Sequence, residues 1–120
     1  MKKINIEAFG PGVQIWFTIG RLKELESYLN TPIGDIMMES QKLSITNLLA
    51  MLRCGLVHQY GNKPEAFYAK LVDDALENGA ELVDIQSAVI KALVGSGLLG
   101  KQYYYNVFPE EKPEDYVAKN

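Results

Sequence analysis

The sequence predicts a mostly α fold: a small domain of about five helices preceded by a short N-terminal β-hairpin. Leucines recur at helical spacing from Leu22 onward, which is typical of amphipathic helices. The first residues instead alternate between apolar and polar types, as a half-buried strand does. Hydrophobic residues make up 48% of the 120-residue chain and charged residues 22%, a composition typical of a folded protein with one core.

The hairpin is predicted from two strand-like stretches with a turn between them. Residues 4–8 alternate in polarity, and residues 13–18 are rich in β-branched and aromatic side chains. Glycine and proline at residues 9–12 favour a turn. Because two strands alone are marginally stable, we expect the hairpin to lean on a helix or on another subunit.

The first two helices are predicted from their caps. Thr18 or Gly20 starts the first helix, which ends near residue 29. Thr31 as N-cap and Pro32 at the first helical position start a short second helix over residues 33–39.

Three further helices follow. Ser44 is the predicted N-cap of a third helix that ends near Tyr60. Asn62 and Glu65 have the spacing of a capping box for the fourth helix. A fifth helix is predicted over residues 81–94.

The domain organisation follows from composition. No internal repeat or linker is visible, so residues 1–108 are predicted to form a single domain. Residues 109–120 contain prolines, several acids and few apolar groups, so we expect a mobile acidic tail.

Charge, hydropathy and cysteine content narrow the possible partners and the location of the protein. A net charge of −3 and a pI near 5.1 argue against a nucleic-acid or membrane-surface binder, which would carry a basic patch. No stretch approaches the roughly 20 apolar residues of a membrane span. The single cysteine, Cys54, has no internal disulfide partner, which favours a reducing cytoplasm.

One motif resembles a nucleotide-binding loop. Residues 95–101 fit G-x-x-x-x-G-K, but Gln102 replaces the serine or threonine that would hold magnesium. The preceding stretch has helical rather than strand periodicity, which favours a helix-ending turn.

Other reactive groups favour structural roles. Cys54 and His58 share a helical face, but leucine-rich surroundings favour a packed, inert cysteine. The acidic residues near the fourth helix favour a solvated face over a metal site, because no histidine accompanies them; they are Asp73, Asp74, Glu77 and Asp84. We therefore expect no catalytic residues, cofactor or metal.

Two short segments are candidates for partner binding. The first is apolar and methionine-rich, and methionine serves both cores and adaptable interfaces; it comprises Ile36, Met37 and Met38. The second is a run of aromatic residues that fits either edge-strand packing or a partner-binding patch; it comprises Tyr103, Tyr104 and Tyr105.

Three stretches together resemble the tail assembly chaperones of long-tailed bacteriophages and prophages. They are residues 17–26, 32–36 and 48–56, within a resemblance that spans roughly residues 16–100. The resemblance implies a helical, non-enzymatic protein that binds the tape measure protein and helps to recruit tail tube subunits. It further implies a location in the cytoplasm of the bacterial host and absence from the mature virion. Self-association is predicted on separate grounds, because the hairpin edge and residues 36–38 are apolar and marginally stable alone.

Two alternatives stand beside this interpretation. One is a structural tail or neck-junction protein retained in the particle, for which more strand content is expected. The other is an enzyme or nucleotide-binding module, which the missing catalytic constellation disfavours.

Overall fold

The computed structural model describes residues 2–40, 42 and 44–117. The helices are α1 (Ile19–Leu29), α2 (Ile33–Ser40), α3 (Ile45–Gly55), α4 (Val57–Tyr60), α5 (Glu65–Glu77), α6 (Leu82–Gly95) and α7 (Lys101–Val107). The strands are β1 (Ile4–Asn5) and β2 (Gln14–Ile15), and short 3₁₀ helices cover Glu7–Phe9 and Pro109–Glu111. The predicted class, helical with an N-terminal hairpin, is confirmed. Among the described residues, no helix is long and apolar enough to cross a membrane.

The hairpin is shorter than the sequence predicted. β1 and β2 pair antiparallel, with Ile4 opposite Ile15. The strand predicted over residues 4–8 ends at Asn5, because the carbonyls of Ile6 and Glu7 accept from the amides of Phe9 and Gly10 in a 3₁₀ turn. Those carbonyls are therefore engaged within the turn and not in a β-ladder.

Two helix C-termini hold the hairpin in place. The Trp16 amide donates to the Gly55 carbonyl at the end of α3, at 3.4 Å. The Lys2 amide donates to the Gly95 carbonyl at the end of α6, at 3.3 Å. A Cβ added at Gly55 would lie 2.5 Å from Cγ1 of Ile15, so the close approach requires glycine there. The expectation that the hairpin leans on helices is confirmed.

Helix α3 forms the centre of the core. It packs against α1, α2, α5 and α6 and is buried along most of its length. Leu48 and Leu52 from α3 lie among buried side chains from the hairpin, α5 and α6, including Phe17, Tyr68 and Leu93. One hydrophobic cluster therefore joins the hairpin to the helices, as a single domain requires.

Two predicted caps are present. The Thr18 hydroxyl accepts from the Arg21 amide at 3.1 Å, and the Ser44 hydroxyl accepts from the Asn47 amide at 3.2 Å. Each contact spans three residues; for α1, the structure selects Thr18 over the alternative of Gly20.

Two other predicted caps are wrong. Thr31 donates its hydroxyl to the Leu29 carbonyl, and the Glu26 carboxylate instead accepts from the Ile33 amide at 2.7 Å. A carboxylate suits this position because the N-terminus of a helix carries partial positive charge. At α5, Pro64 is the N-cap residue and makes no side-chain cap, while Glu65 accepts from the Tyr28 hydroxyl at 2.9 Å.

The helix count also differs from about five. The third predicted helix breaks at Leu56, whose φ of −114° and ψ of 16° leave the helical region, so α4 is a separate turn. The tyrosine run forms α7, not an edge strand.

The start of the predicted tail contacts the rest of the chain. Glu111 forms an ion pair with Lys2 at 2.7 Å and accepts from the Tyr104 hydroxyl at 2.8 Å. The Tyr116 ring lies 4.8 Å from that of Tyr105. Sequence composition gave no sign of these contacts; tail mobility stays a prediction, and residues 118–120 lie outside the described residues.

Candidate partner-binding surface

The methionine-rich segment lies mostly in the core. Ile36 is fully buried and Met37 is 6% exposed, whereas Met38 is 69% exposed. Of the two roles predicted for this segment, core packing applies to Ile36 and Met37, and a partner-binding role stays a prediction for Met38. Their burial follows from α2 packing on α3, which leaves only Met38 at the surface.

The three tyrosines on α7 have different environments. Tyr104 packs on Phe108, with ring centroids 5.0 Å apart, and burial together with its bond to Glu111 raises its pKa to about 12. Tyr105 packs against Tyr116. Tyr103 is the most exposed of the three, at 42%, and faces a groove.

An open groove of about 430 Å³ lies between α6 and α7. Its walls are mainly apolar side chains, with Lys91 as the charged residue of the lining. The lining comprises Val83, Gln86, Ser87, Ile90, Lys91, Val94, Tyr103 and Val107. Apolar side chains of a partner would therefore lose contact with water in this groove.

The α6 side of this groove was missed from sequence. Ile85, Val89 and Leu93 form the buried stripe of α6. Val83 and Ile90 are seven residues apart and so form a second apolar stripe on the same helix. That second stripe was the available signal, since a surface helix normally has one apolar face.

A larger cleft of about 700 Å³ lies between β1, the α5–α6 turn and α6. Polar and apolar atoms contribute about equally to its lining, which includes Asn5, Glu7 and Asp84. The groove between α6 and α7 is smaller but much more apolar, so it is the better match to an apolar partner.

Cys54 and His58 do not form a catalytic pair. Cys54 is buried, and burial raises the pKa of its thiol to about 11, so the thiol stays protonated at neutral pH. His58 contacts the Gln14 carbonyl through Nε2 at 2.7 Å and Nη1 of Arg21 through Nδ1 at 3.0 Å. Both ring nitrogens are thus engaged away from the thiol.

The remaining motifs have structural roles. Residues 95–101 connect helix α6 to helix α7, whereas a phosphate-binding loop follows a strand. Asp74 pairs with Lys70 at 2.8 Å on an exposed face of α5. Across residues 2–40, 42 and 44–117, no three His, Cys, Asp or Glu side chains are grouped as a metal site would require.

Comparison of this chain with protein-family models, with curated proteins and with solved structures gives no match. What the protein binds must therefore be inferred from its own residues and surface.

Proposed function

We propose that the protein is a non-enzymatic tail assembly chaperone that binds the tape measure protein and helps to recruit tail tube subunits during tail morphogenesis. It acts in the cytoplasm of the bacterial host and is left out of the mature virion. The sequence resemblance motivates this proposal, and the apolar groove between α6 and α7 is the observation that carries it.

The groove suits a helical client. An amphipathic helix binds a groove by inserting apolar side chains from successive turns. Val83 and Tyr103 supply exposed apolar surface along the groove, with exposed fractions of 63% and 42%. Binding an apolar helix there covers its surface without any bound cofactor, which is the task of a holdase.

Self-association is part of the same proposal. Met38 and Ile45 are 69% and 51% exposed near the junction of α2 and α3. Exposed apolar groups of this kind can mediate contacts between copies of the chain. Light scattering over a concentration series tests this, and a constant monomer mass would contradict it.

The structural-protein alternative receives less support. The described residues contain a two-residue strand on each side of one hairpin, and Lys2 and Trp16, which flank these strands, bond to the C-termini of α6 and α3. If the chain is found in purified mature particles, that alternative replaces the chaperone proposal.

The test is co-expression with a candidate tape measure protein from a neighbouring gene, scoring how much of that client stays soluble. Val83→Glu puts an unpartnered charge in the groove and should lower solubilisation, because burying that charge costs several kcal/mol. Ile19→Glu is the matched control: Ile19 is 67% exposed and, like Val83, lies in the first turn of a helix but outside the groove.

Equal solubilisation by the wild type and by Val83→Glu would show that the groove is not the binding surface. An insoluble client even with the wild-type chain would contradict the chaperone proposal itself.

A further inference from the structure

A cationic cluster lies where the hairpin meets α1 and α4. It comprises Lys3, Trp16, Arg21 and His58. The rings of Trp16 and His58 stack with centroids 3.5 Å apart. Nζ of Lys3 and Cζ of Arg21 lie 4.7 and 4.8 Å from the Trp16 ring centroid. Both cations are within the distance at which an aromatic ring attracts positive charge.

Arg21 is fixed through one end of its guanidinium. Its Nη1 donates to the carbonyls of Trp16 and Gly55, at 3.1 and 3.4 Å, and contacts Nδ1 of His58 at 3.0 Å. A guanidinium has only donors, so Nδ1 must accept. His58 therefore carries its proton on Nε2, which donates to the Gln14 carbonyl at 2.7 Å.

The opposite edge of Arg21 is open. Within the described part of the chain, no hydrogen bond involves Nε or Nη2 of Arg21, and no carboxylate lies within 4.0 Å of Arg21 or Lys3. Partial burial lowers the pKa of Arg21, which means that its positive charge has lost some of its water. The charge of Glu24 acts on Arg21 without forming an ion pair, so this partly desolvated cation still gains from an anionic partner that pairs with it directly.

We propose that this cluster binds a carboxylate side chain from an acidic segment of a partner protein. The unbonded Nε–Nη2 edge of Arg21 has the planar fork that pairs with both oxygens of a carboxylate, and the Lys3 ammonium, 4.7 Å from the Trp16 ring centroid, adds positive charge to the cluster. The ring of Trp16 gives the approaching segment an apolar contact.

Charge favours this occupant over a nucleic acid. The chain has a net charge of −3 and a pI near 5.1, so a long polyanion is repelled from the molecule as a whole. A single carboxylate-bearing segment needs only the local pair of cations. The site uses none of the residues that line the groove between α6 and α7, so it does not depend on the proposed function.

Trp16 is the only tryptophan and reports binding directly. Its fluorescence is titrated with a short polyglutamate peptide, and with a polyglutamine peptide of equal length as the uncharged control. We expect a saturable change with polyglutamate alone, with an affinity that falls as sodium chloride is added.

Three variants locate the contact. Lys3→Gln should lower the affinity about fivefold, the effect of losing one partly exposed charge pair. Arg21→Lys keeps the charge but removes the planar fork, and should lower it by at least as much. Lys23→Gln, on an exposed part of α1 outside the cluster, should leave it unchanged.

Three results would overturn the proposal. The first is no saturable change with the wild-type protein, and the second is an unaltered affinity in Lys3→Gln. The third is an equal response to inorganic phosphate at matched ionic strength, which would reassign the cluster to small anions. Circular dichroism of each variant separates lost binding from lost folding.

Discussion

Replacement of Gly55 by alanine tests how closely the hairpin approaches α3. The new Cβ would lie 2.5 Å from Cγ1 and 2.7 Å from Cδ1 of Ile15, and 3.0 Å from Cζ of Phe17. Ile15 and Phe17 are both fully buried, so neither side chain can move into solvent to make room for the new Cβ. The hairpin must shift, which also strains the bond from the Trp16 amide to the Gly55 carbonyl.

The expected loss follows from three contributions. Overpacking a core costs about 1–3 kcal/mol. A weakened hydrogen bond costs roughly 0.5–1.5 kcal/mol. Alanine regains up to about 1 kcal/mol relative to glycine within a helix. We therefore expect Gly55→Ala to lower the free energy of unfolding by about 0.5–3.5 kcal/mol.

Gly34→Ala is the matched control. Gly34 lies in α2, and an added Cβ there meets no atom within 4 Å. This variant should be neutral or gain up to about 1 kcal/mol from helix propensity. Urea unfolding followed by circular dichroism measures both variants. Equal stability of Gly55→Ala and the wild type would refute the close packing of the hairpin against α3.

Three other predictions concern single side chains. Burial, together with the charges of Arg21 and Lys3, lowers the pKa of His58 below its usual 6.5. The contribution of His58 to stability is therefore complete above pH 6.5 and decreases as the pH falls below that value. The melting temperature of His58→Gln should accordingly depend less on pH over that range than the melting temperature of the wild type. The buried hydroxyl of Tyr68 has no hydrogen-bond partner among the described residues, so Tyr68→Phe should raise the free energy of unfolding by roughly 1 kcal/mol, and a loss in urea unfolding would show a missed partner. Met37→Glu should unfold the domain whereas Met38→Glu should not, as circular dichroism can show, because Met37 is buried and Met38 is exposed.

Some local features of the fold were predictable from sequence, whereas contacts that depend on how distant segments pack were not. Thr18 and Ser44 cap their helices through contacts three residues away, a range that the spacing rule for helix caps covers. Glu26 caps α2 across seven residues, which depends on how the chain turns at Asn30 with its positive φ of 49°. No spacing rule covers that contact.

The candidate surface shows the same limit. Sequence analysis identified Tyr103, which lies in one wall of the groove, because a run of three tyrosines is conspicuous in a sequence. The other wall, with Val83 and Ile90, depends on α7 lying beside α6. Sequence alone also left Met37 and Met38 equivalent, since their burial is decided by which face of α2 meets α3.

The most direct test of the chaperone proposal is a photo-crosslink from the groove in cells that assemble tails. A photoreactive phenylalanine analogue replaces Tyr103 in one strain and Tyr28 in another; the two tyrosines are 42% and 41% exposed, but only Tyr103 lines the groove. The proposal predicts a crosslink from position 103 to the tape measure protein and none from position 28, identified by mass spectrometry. Equal crosslinking from both positions, or no crosslink from position 103 to the tape measure protein, would contradict it.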